Sequence, residues 1–349
     1  SDPSRGLGDV YKRQVDEDLY SILGQAERFY RSQLRGATQA VEYLKGRGLT
    51  GEIARDFGIG YAPAEWHGIG DALIGERISE EKLLTAGLLI KNDKGRVYDR
   101  FRDRIMFPIR DTRGRVIAFG GRILAQDGGP KYLNSPETPI FFKAQELYGL
   151  YEARKALRKI DALLVVEGYM DVVALAQNGI ANAVATLGTA TGEAHFKKLY
   201  RYADQVVCCF DGDKAGRSAA WRALESALPV LNEHRQLKFA FLPDGEDPDS
   251  LIRGRGEAAF QGFIDNAVPA LEFLLSRLAE GLDLATLDGR AKFIGLASPY
   301  VEKITPGVLR DLVQARVRDI GGMAQPLTRS NTTFSRPNPQ KVKRTQDLP

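Results

Sequence analysis

The sequence predicts an α/β protein built around a parallel β-sheet, and two observations support this class. Between residues 161 and 252, short apolar runs rich in β-branched and aromatic residues alternate with helix-like segments or loops, which is typical of a parallel sheet flanked by helices. From residue 253 to 320, the spacing is that of amphipathic helices. The four apolar runs are Ala162–Val166, Ile180–Ala185, Val206–Phe210 and Leu237–Leu242.

Length and composition indicate several subdomains of a soluble protein. A chain of 349 residues is too long for one compact core. Its composition of 43% apolar and 27% charged residues is ordinary for a globular protein. The sequence contains no apolar run long enough for a membrane span and none that resembles a secretion signal, so we expect a cytoplasmic protein. The predicted segments are an unstructured lead or artificial remnant (1–14), an α+β subdomain with a basic nucleic-acid track (15–160), a metal-binding subdomain (161–252), a helical subdomain (253–320) and a disordered tail (321–349).

The N-terminal part begins with helices. Apolar residues recur at helical spacing from Asp16 to Leu34, a second helix is predicted from Gln39 to Lys45, and Thr50 is a suitable N-cap for a third. Strands are predicted at 96–98 and 105–109, a hairpin turn at 111–114 leads into a strand at 115–119, residues 130–139 form a loop, and 146–157 form a helix.

Basic residues are concentrated in this part of the chain. Eight lie between Arg100 and Lys131, against only three aspartates. A solvated strand face with ion pairs would explain this pattern, and so would a track for a polyanion. In the predicted loop, Lys131 and Tyr132 stand side by side, which suits a phosphate and a stacked base.

The two cysteines indicate a reduced protein without a zinc site. Cys208 and Cys209 are neighbours on a predicted strand, so their side chains should point to opposite faces and not pair. Two cysteines and three scattered histidines cannot build a zinc ribbon.

Carboxylates follow the predicted strands of the central sheet. The carboxyl ends of such strands are where ligands bind, and several acids gathered there would repel unless a cation lies among them. Six of them could hold two divalent ions suited to in-line displacement at phosphorus. As an alternative, each aspartate could cap a helix or form a turn, and Asp249 in particular could cap the helix near Ser250. The six are Glu167, Asp171, Asp211, Asp213, Asp247 and Asp249.

Motifs containing these acids resemble the Toprim fold of bacterial replicative primases of the DnaG type. The resemblance extends from about residue 16 to residue 320, through blocks beginning at Tyr43, Arg104 and Lys131. The acidic motifs are Val165-Val-Glu-Gly-Tyr-Met-Asp171, Phe210-Asp-Gly-Asp-Lys-Ala-Gly-Arg217 and Pro243-Asp-Gly-Glu-Asp-Pro-Asp249.

The resemblance implies a DNA primase, a nucleotidyltransferase that makes short RNA primers on single-stranded DNA from ribonucleoside triphosphates. It implies that Glu167, Asp211 and Asp213 are the catalytic residues and principal ligands of Mg²⁺ or Mn²⁺, with two ions when substrate is bound. The other three acids complete the cluster. The residues that correspond to the family's basic ridge, which guides template or holds the nucleotide, are Arg47, Arg122, Lys131, Tyr132 and Lys143.

The resemblance also suggests a catalytic core alone. We expect the family's zinc-binding domain and its helicase-docking domain to be missing, so the replicative helicase would be a partner only through an absent domain. A monomer that releases an RNA–DNA hybrid is expected. Two alternatives stay open: another Toprim enzyme, such as a topoisomerase or nuclease, and a single-stranded DNA-binding module that no longer catalyses.

Overall fold

The computed structural model describes the backbone of residues 3–124 and 129–323, with side chains from residue 14 onward. Two larger sheets and a two-stranded sheet lie among helices, which confirms the predicted α/β class. In these ranges no helix is both long and apolar enough to cross a membrane. Most of the predicted tail, residues 324–349, lies outside the described residues.

The N-terminal helices begin earlier than the sequence predicts. The first helix starts at Pro3, whereas an unstructured lead or artificial remnant is predicted from the sequence for residues 1–14. Proline is tolerated in a first helical turn because the amide it lacks would have no partner there. The cap on the third helix is confirmed, since Thr50 Oγ1 accepts a hydrogen bond from the Ile53 N–H at 3.3 Å. The elements are α1 (Pro3–Gly36), α2 (Thr38–Gly46), α3 (Gly51–Asp56), β1 (Gly60–Ala62), α4 (Gly68–Gly75) and α5 (Glu80–Thr85).

An antiparallel sheet follows these helices. The predicted hairpin turn is confirmed: the Asp111 N–H donates to the Arg115 carbonyl at 2.9 Å. Part of the predicted loop at 130–139 is instead a strand, because residues 132–134 pair with the second hairpin strand. The strands are β2 (Leu89–Lys91), β3 (Val97–Asp99), β4 (Arg104–Arg110), β5 (Val116–Ile123) and β6 (Tyr132–Asn134); the larger sheet has the order β1-β4-β5-β6, and β2 pairs with β3.

All four predicted parallel strands are present in the central sheet. The helix before it is shorter than predicted: it starts at Leu150, after Gly149 adopts a left-handed conformation (φ +85°). A Cβ on Gly149 would lie 2.7 Å from the Val172 side chain, so glycine also permits close packing there. The elements are α6 (Leu150–Ala156), β7 (Ala162–Val166), α7 (Tyr169–Gln177), β8 (Ala183–Ala185), α8 (Glu193–Leu199), β9 (Gln205–Asp211), α9 (Lys214–Ala227), a 3₁₀ turn (Leu228–Val230) and β10 (Gln236–Leu242).

The C-terminal part is helical, as predicted, with one short strand. Its first helix bends at Gly256, where φ is +83°. The short strand adds to the central sheet in antiparallel orientation, giving the order β11-β10-β9-β7-β8. The elements are α10 (Pro248–Asp265), β11 (Val268–Pro269), α11 (Ala270–Ala279), α12 (Leu287–Lys303) and α13 (Val308–Ile320).

The central sheet is buried on both faces by different cores. Cys209 and Leu164 belong to a core shared with Phe107 of β4, whereas Cys208 and Val165 belong to a core shared with the C-terminal helices. The two free cysteines therefore point to opposite faces, as predicted. One core thus crosses the predicted boundary at residue 160.

A buried network around Arg110 joins three elements of the N-terminal half. Arg110 Nη2 on β4 lies 2.6 Å from Glu27 Oε1 on α1, and Arg110 Nε lies 3.2 Å from Glu152 Oε1 on α6. Burial raises the pKa of Glu152 to about 7; its own backbone N–H and Arg110 oppose this, and the charge of Glu27 adds to it.

Replacing Glu152 with glutamine should remove a pH dependence of stability. The native carboxyl keeps its proton up to about pH 7, whereas the unfolded chain releases it near 4.5, so stability falls as pH rises between these values. From pH 5 to pH 7, the free energy of unfolding in urea should fall by about 1–3 kcal/mol more in the parent protein than in Glu152→Gln. The exposed Glu302→Gln should behave like the parent. Parallel pH profiles for parent and Glu152→Gln would contradict this assignment.

Gly216 lets α9 pack directly against the end of β9. A Cβ at this position would lie 2.0 Å from the Asp211 carbonyl oxygen. Gly216→Ala should therefore displace the helix and lower the free energy of unfolding by about 1–3 kcal/mol. Gly254→Ala is the matched control, because a Cβ there meets nothing within 4 Å, and it should be neutral or stabilising by up to about 1 kcal/mol. Urea unfolding measures both variants, and similar stabilities would refute the close approach.

Candidate active site

The predicted acids lie at one edge of the central sheet. Glu167 follows β7 directly, Asp211 ends β9, and these two strands are parallel neighbours, so their carboxyl ends meet at the same edge. A cleft of about 350 Å³ opens there. The predicted acids that line it are Glu167, Asp171, Asp211, Asp247 and Asp249, while Asp213 lies beside it at the start of α9.

The exposed acids at this edge repel one another. The pKa of Glu167 is raised, first by partial desolvation and then by the negative charges of Asp211 and Asp213. The pKa of Asp211 is raised by desolvation, and then by Asp213, Asp247 and neighbouring Asp244. A bound cation would relieve this repulsion and favour the ionised forms.

Two of the acids cap helices, as the alternative interpretation of the motifs suggested. Asp213 Oδ1 accepts the Gly216 N–H at 2.7 Å at the start of α9. Asp247 Oδ1 accepts the Ser250 N–H at 2.7 Å at the start of α10. Both side chains remain exposed, so capping fixes their position without removing them from solvent.

Asp171 is buried and connects two helices. Its Oδ2 accepts the Gly168 N–H at 3.1 Å, and its Oδ1 accepts the Asp249 N–H at 3.2 Å. Burial raises its pKa to about 7, and the charge of Asp247 adds to this, while the Asp249 N–H opposes it. Asp171 therefore holds α10 against the start of α7.

Asp249 is the most buried acid and is paired with two arginines. Its Oδ2 lies 2.6 Å from Arg47 Nη1, and its Oδ1 lies 2.7 Å from Arg253 Nε. Only 1% of the residue is exposed. It therefore does not cap α10, a role taken by Asp247; instead it joins the end of α2 to the acidic edge.

The carboxylates are suitable ligands for a divalent cation, although they are not arranged as a closed site. Within the described ranges, no three His, Cys, Asp or Glu side chains are grouped closely enough to hold a metal ion. Glu167, Asp211 and Asp213 nevertheless supply the hard oxygen donors that such ions prefer, and Glu167 and Asp211 line the same cleft.

Most of the residues that the resemblance assigns to the basic ridge lie at the same cleft. Arg47, Lys131 and Tyr132 line it. Arg122 lies beside them, with its Cζ 6.0 Å from the Tyr132 ring centroid. Lys143 is not among the lining residues. Its backbone N–H donates to Glu137 Oε1 at 3.2 Å.

Sequence reasoning missed Asn134, which also lines the cleft. Its Nδ2 donates to the Leu187 carbonyl at 2.9 Å, and its Oδ1 accepts the Tyr169 hydroxyl. No sequence signal identified it, because a loop is predicted at 130–139 and only a strand places residues 132 and 134 on the same side. Thr186 and Gly188, just after β8, line the cleft as well and could have been found from the rule that ligands bind at the carboxyl ends of strands.

Three family models match the chain along its length. Residues 29–154 match the N-terminal domain of the DNA primase catalytic core, and residues 164–252 match a Toprim-like domain. Residues 271–323 match the DnaB-helicase binding domain of primase. The prediction that a helicase-docking region is missing is therefore wrong, because amphipathic spacing does not distinguish core helices from helices that bind a partner.

Curated relatives and solved structures agree with these matches. The chain is 55% identical to the DNA primase of Pseudomonas aeruginosa (91% of this chain, 49% of the relative) and 51% identical to that of Escherichia coli K12 (86% and 52%). It thus spans about half the length of these relatives. A DnaG primase catalytic domain bound to ssDNA is 48% identical with a TM-score of 0.85 (90% of this chain, 98% of that chain), and a DNA primase domain from P. aeruginosa is 55% identical with a TM-score of 0.83 (88% and 99%). On this evidence, the chain belongs to the DnaG-type DNA primase family.

Proposed function

We propose that the chain synthesises short RNA primers on single-stranded DNA by metal-assisted nucleotidyl transfer. The observation that supports this best is the cleft at the end of β7 and β9, where Glu167 and Asp211 face Arg47, Lys131 and Tyr132. Phosphate groups need both the cations and the acid-bound metal that such a cleft can supply. A relative with 48% identity was solved bound to ssDNA, which supports DNA as the template.

The residues of the cleft have different roles in the proposed reaction. Arg47 and Lys131 hold phosphate groups, and Tyr132 offers a ring for stacking a base. Mg²⁺ or Mn²⁺, with two ions in the substrate complex, would be held by Glu167, Asp211 and Asp213 and would activate the hydroxyl and neutralise leaving-group charge. The 3′-hydroxyl oxygen forms a bond to the α-phosphorus, the bond from that phosphorus to the bridging oxygen breaks, pyrophosphate leaves, and the hydroxyl proton passes to solvent.

The remaining acids and basic residues have supporting roles in this proposal. Asp171 and Asp247 fix the position of the cluster, and Asp249 orients Arg47. Arg122 and Lys143 would contact the template outside the cleft.

An exposed aromatic–cation stack extends the proposed template track. Trp66 is 57% exposed, and the Arg102 guanidinium lies 4.2 Å from the centre of its ring. Two residues along, the Arg104 guanidinium donates to the carbonyl of Pro130, the residue before Lys131. Stacking platforms beside cations are typical of single-stranded nucleic-acid sites.

We further propose that α11–α13 contact the replicative helicase. The family match over residues 271–323 supports this, as do the exposed apolar side chains of Val308 and Leu312, one turn apart on α13. The proposal also includes an RNA–DNA hybrid as the product, action at the replication fork in the bacterial cytoplasm and a monomeric state.

Removing Asp211 should abolish primer synthesis. The protein is incubated with single-stranded DNA, four ribonucleotides (one labelled) and Mg²⁺ or Mn²⁺, and labelled RNA is measured. Asp211→Ala should lower synthesis at least about 100-fold, because it removes a proposed metal ligand. Asp265→Ala, an exposed acid at the end of α10, is the control and should retain activity.

The same assay tests the alternatives. Cleaved or relaxed DNA without RNA would favour another Toprim enzyme. DNA binding with no metal-dependent product in the parent protein would favour a binding module. Full RNA synthesis by Asp211→Ala would remove this residue from the active site.

Lys131→Ala should weaken single-stranded DNA binding and reduce its salt dependence. Lys131 is exposed and lines the cleft, so the loss of one phosphate contact should lower the slope of log affinity against log salt by about 0.7. Fluorescence anisotropy with labelled DNA at several salt concentrations measures this slope. Lys292→Ala on α12 removes the same charge far from the cleft and should have no effect. Identical slopes for parent and Lys131→Ala would exclude Lys131 from the track.

A further inference from the structure

A basic pocket of about 500 Å³ lies at the opposite edge of the central sheet from the acidic cleft. Its walls are the segment between α6 and β7 and the segment between α8 and β9. Because β7 and β9 are parallel neighbours, these segments meet at the amino ends of the strands, whereas the acids lie at the carboxyl ends. Strand β9 (Gln205–Asp211) has seven residues, which separates the two edges by about 20 Å. The pocket is therefore separate from the proposed active site.

The pocket has more positive than negative charge. Asp204 is the carboxylate among its lining residues. Lys159 is paired with a second one, since its Nζ lies 2.6 Å from Asp161 Oδ1. Arg158 and Arg201 are exposed, and within residues 14–124 and 129–323 neither forms an ion pair. The cations that line the pocket are Arg154, Arg158, Lys159 and Arg201.

Helix ends explain only part of this charge. α6 ends at Ala156, and a cation in its last turn, such as Arg154, is favoured by the helix dipole. Arg158 lies beyond that turn, and Arg201 lies beyond α8, which ends at Leu199. A cation that caps a helix donates to its last carbonyls, and in the described part of the chain neither Arg158 nor Arg201 does so. Both guanidinium groups are thus available to a ligand.

A third arginine is held beside an aromatic ring. Arg154 Nη1 donates to the Thr112 carbonyl at 2.8 Å, and its Cζ lies 4.8 Å from the centre of the Tyr202 ring. Tyr202 is half-buried and packs against the core shared with the C-terminal helices. Exposed guanidinium planes and aromatic rings are surfaces on which nucleic-acid bases stack. Arg113, next to Thr112, is exposed and extends the basic surface onto the hairpin turn.

We propose that this pocket is a second contact for single-stranded DNA, which holds a part of the template that lies outside the catalytic cleft. Arginines without carboxylate partners bind phosphate oxygens, and the stacked Arg154 receives a base, so the pocket offers both contacts that a single strand makes. An acidic peptide would match the charge but has no base for the stack. This assignment rests on the proposed single-stranded DNA template.

Binding of DNA strands of two lengths tests the second contact. At about 3.4 Å per nucleotide, a strand of about 6 nucleotides is about 20 Å long and cannot pass from the cleft around the sheet to the pocket, whereas one of about 30 nucleotides can. The variant is Arg158→Gln/Arg201→Gln in the full chain, and fluorescence anisotropy measures affinity. The variant should bind the long strand about 10-fold more weakly, because two linked contacts become one, and the short strand as the parent does.

Salt dependence and a matched variant identify the cause of the loss. Removing two phosphate contacts should lower the slope of log affinity against log salt by about 1.4 for the long strand, about 0.7 for each contact. Lys292→Gln/Arg318→Gln removes two exposed cations from α12 and α13 and should bind both strands like the parent. The melting temperature of Arg158→Gln/Arg201→Gln should equal that of the parent, because neither arginine has a carboxylate partner in the described ranges.

Several outcomes would overturn the second contact. These are parent-like affinity and salt slope of Arg158→Gln/Arg201→Gln for the long strand, an equal loss for both strand lengths, an equal loss in the control variant, or a lowered melting temperature. A hexaglutamate peptide separates the other class of partner. If it binds the parent but not Arg158→Gln/Arg201→Gln, while DNA binding is the same in both, the pocket receives an acidic protein and not the template.

The second contact and the proposed function can fail separately. A parent protein that makes RNA while Arg158→Gln/Arg201→Gln binds the long strand normally would refute the second contact and leave the function standing. If the variant loses affinity for the long strand alone but the parent makes no RNA, the contact is supported and the function is refuted.

Discussion

The arrangement of the site depends on the buried contact between Asp249 and Arg47. These residues are 202 positions apart in sequence, and their 2.6 Å ion pair holds the end of α2 against the start of α10. Arg253 shares the carboxylate, and Asp171 accepts the Asp249 N–H, so the contact continues into α7. Loss of one partner from such a buried group leaves an uncompensated charge. The position of the basic track opposite the acids therefore depends on this cluster.

The double burial of the central sheet explains why the acidic edge is rigid while its carboxylates are exposed. Residues alternate along β9 between two cores, one shared with β4 and α7 and the other with α8, α9 and the C-terminal helices. Only at the end of the strand, where Asp211 emerges, does this packing stop. The buried strands thereby hold solvent-exposed carboxylates in fixed positions. Ligands that must bind a metal and a mobile substrate require this arrangement.

The subsidiary acids show how one residue type takes different roles at one edge. Asp213 and Asp247 bond to helix N-termini, Asp171 bonds to two backbone amides, and Asp249 pairs with arginines. The pKa values of Glu167 and Asp211 are raised, first by partial desolvation and then by the negative charges of neighbouring carboxylates. The distinction comes from what lies within hydrogen-bond distance, since the side-chain chemistry is nearly the same.

The sequence by itself determined the strands of the central sheet, the opposite orientation of Cys208 and Cys209, and the placement of Glu167 and Asp211 at one edge, because periodicity and strand ends are local properties. It failed where the decisive contact was distant. Strand β6 was missed because it pairs with β5, and the role of α11–α13 could not be separated from that of ordinary core helices. Only the tertiary structure paired Asp249 with Arg47 and brought Asn134 to the cleft, because each of these depends on residues far away in the chain.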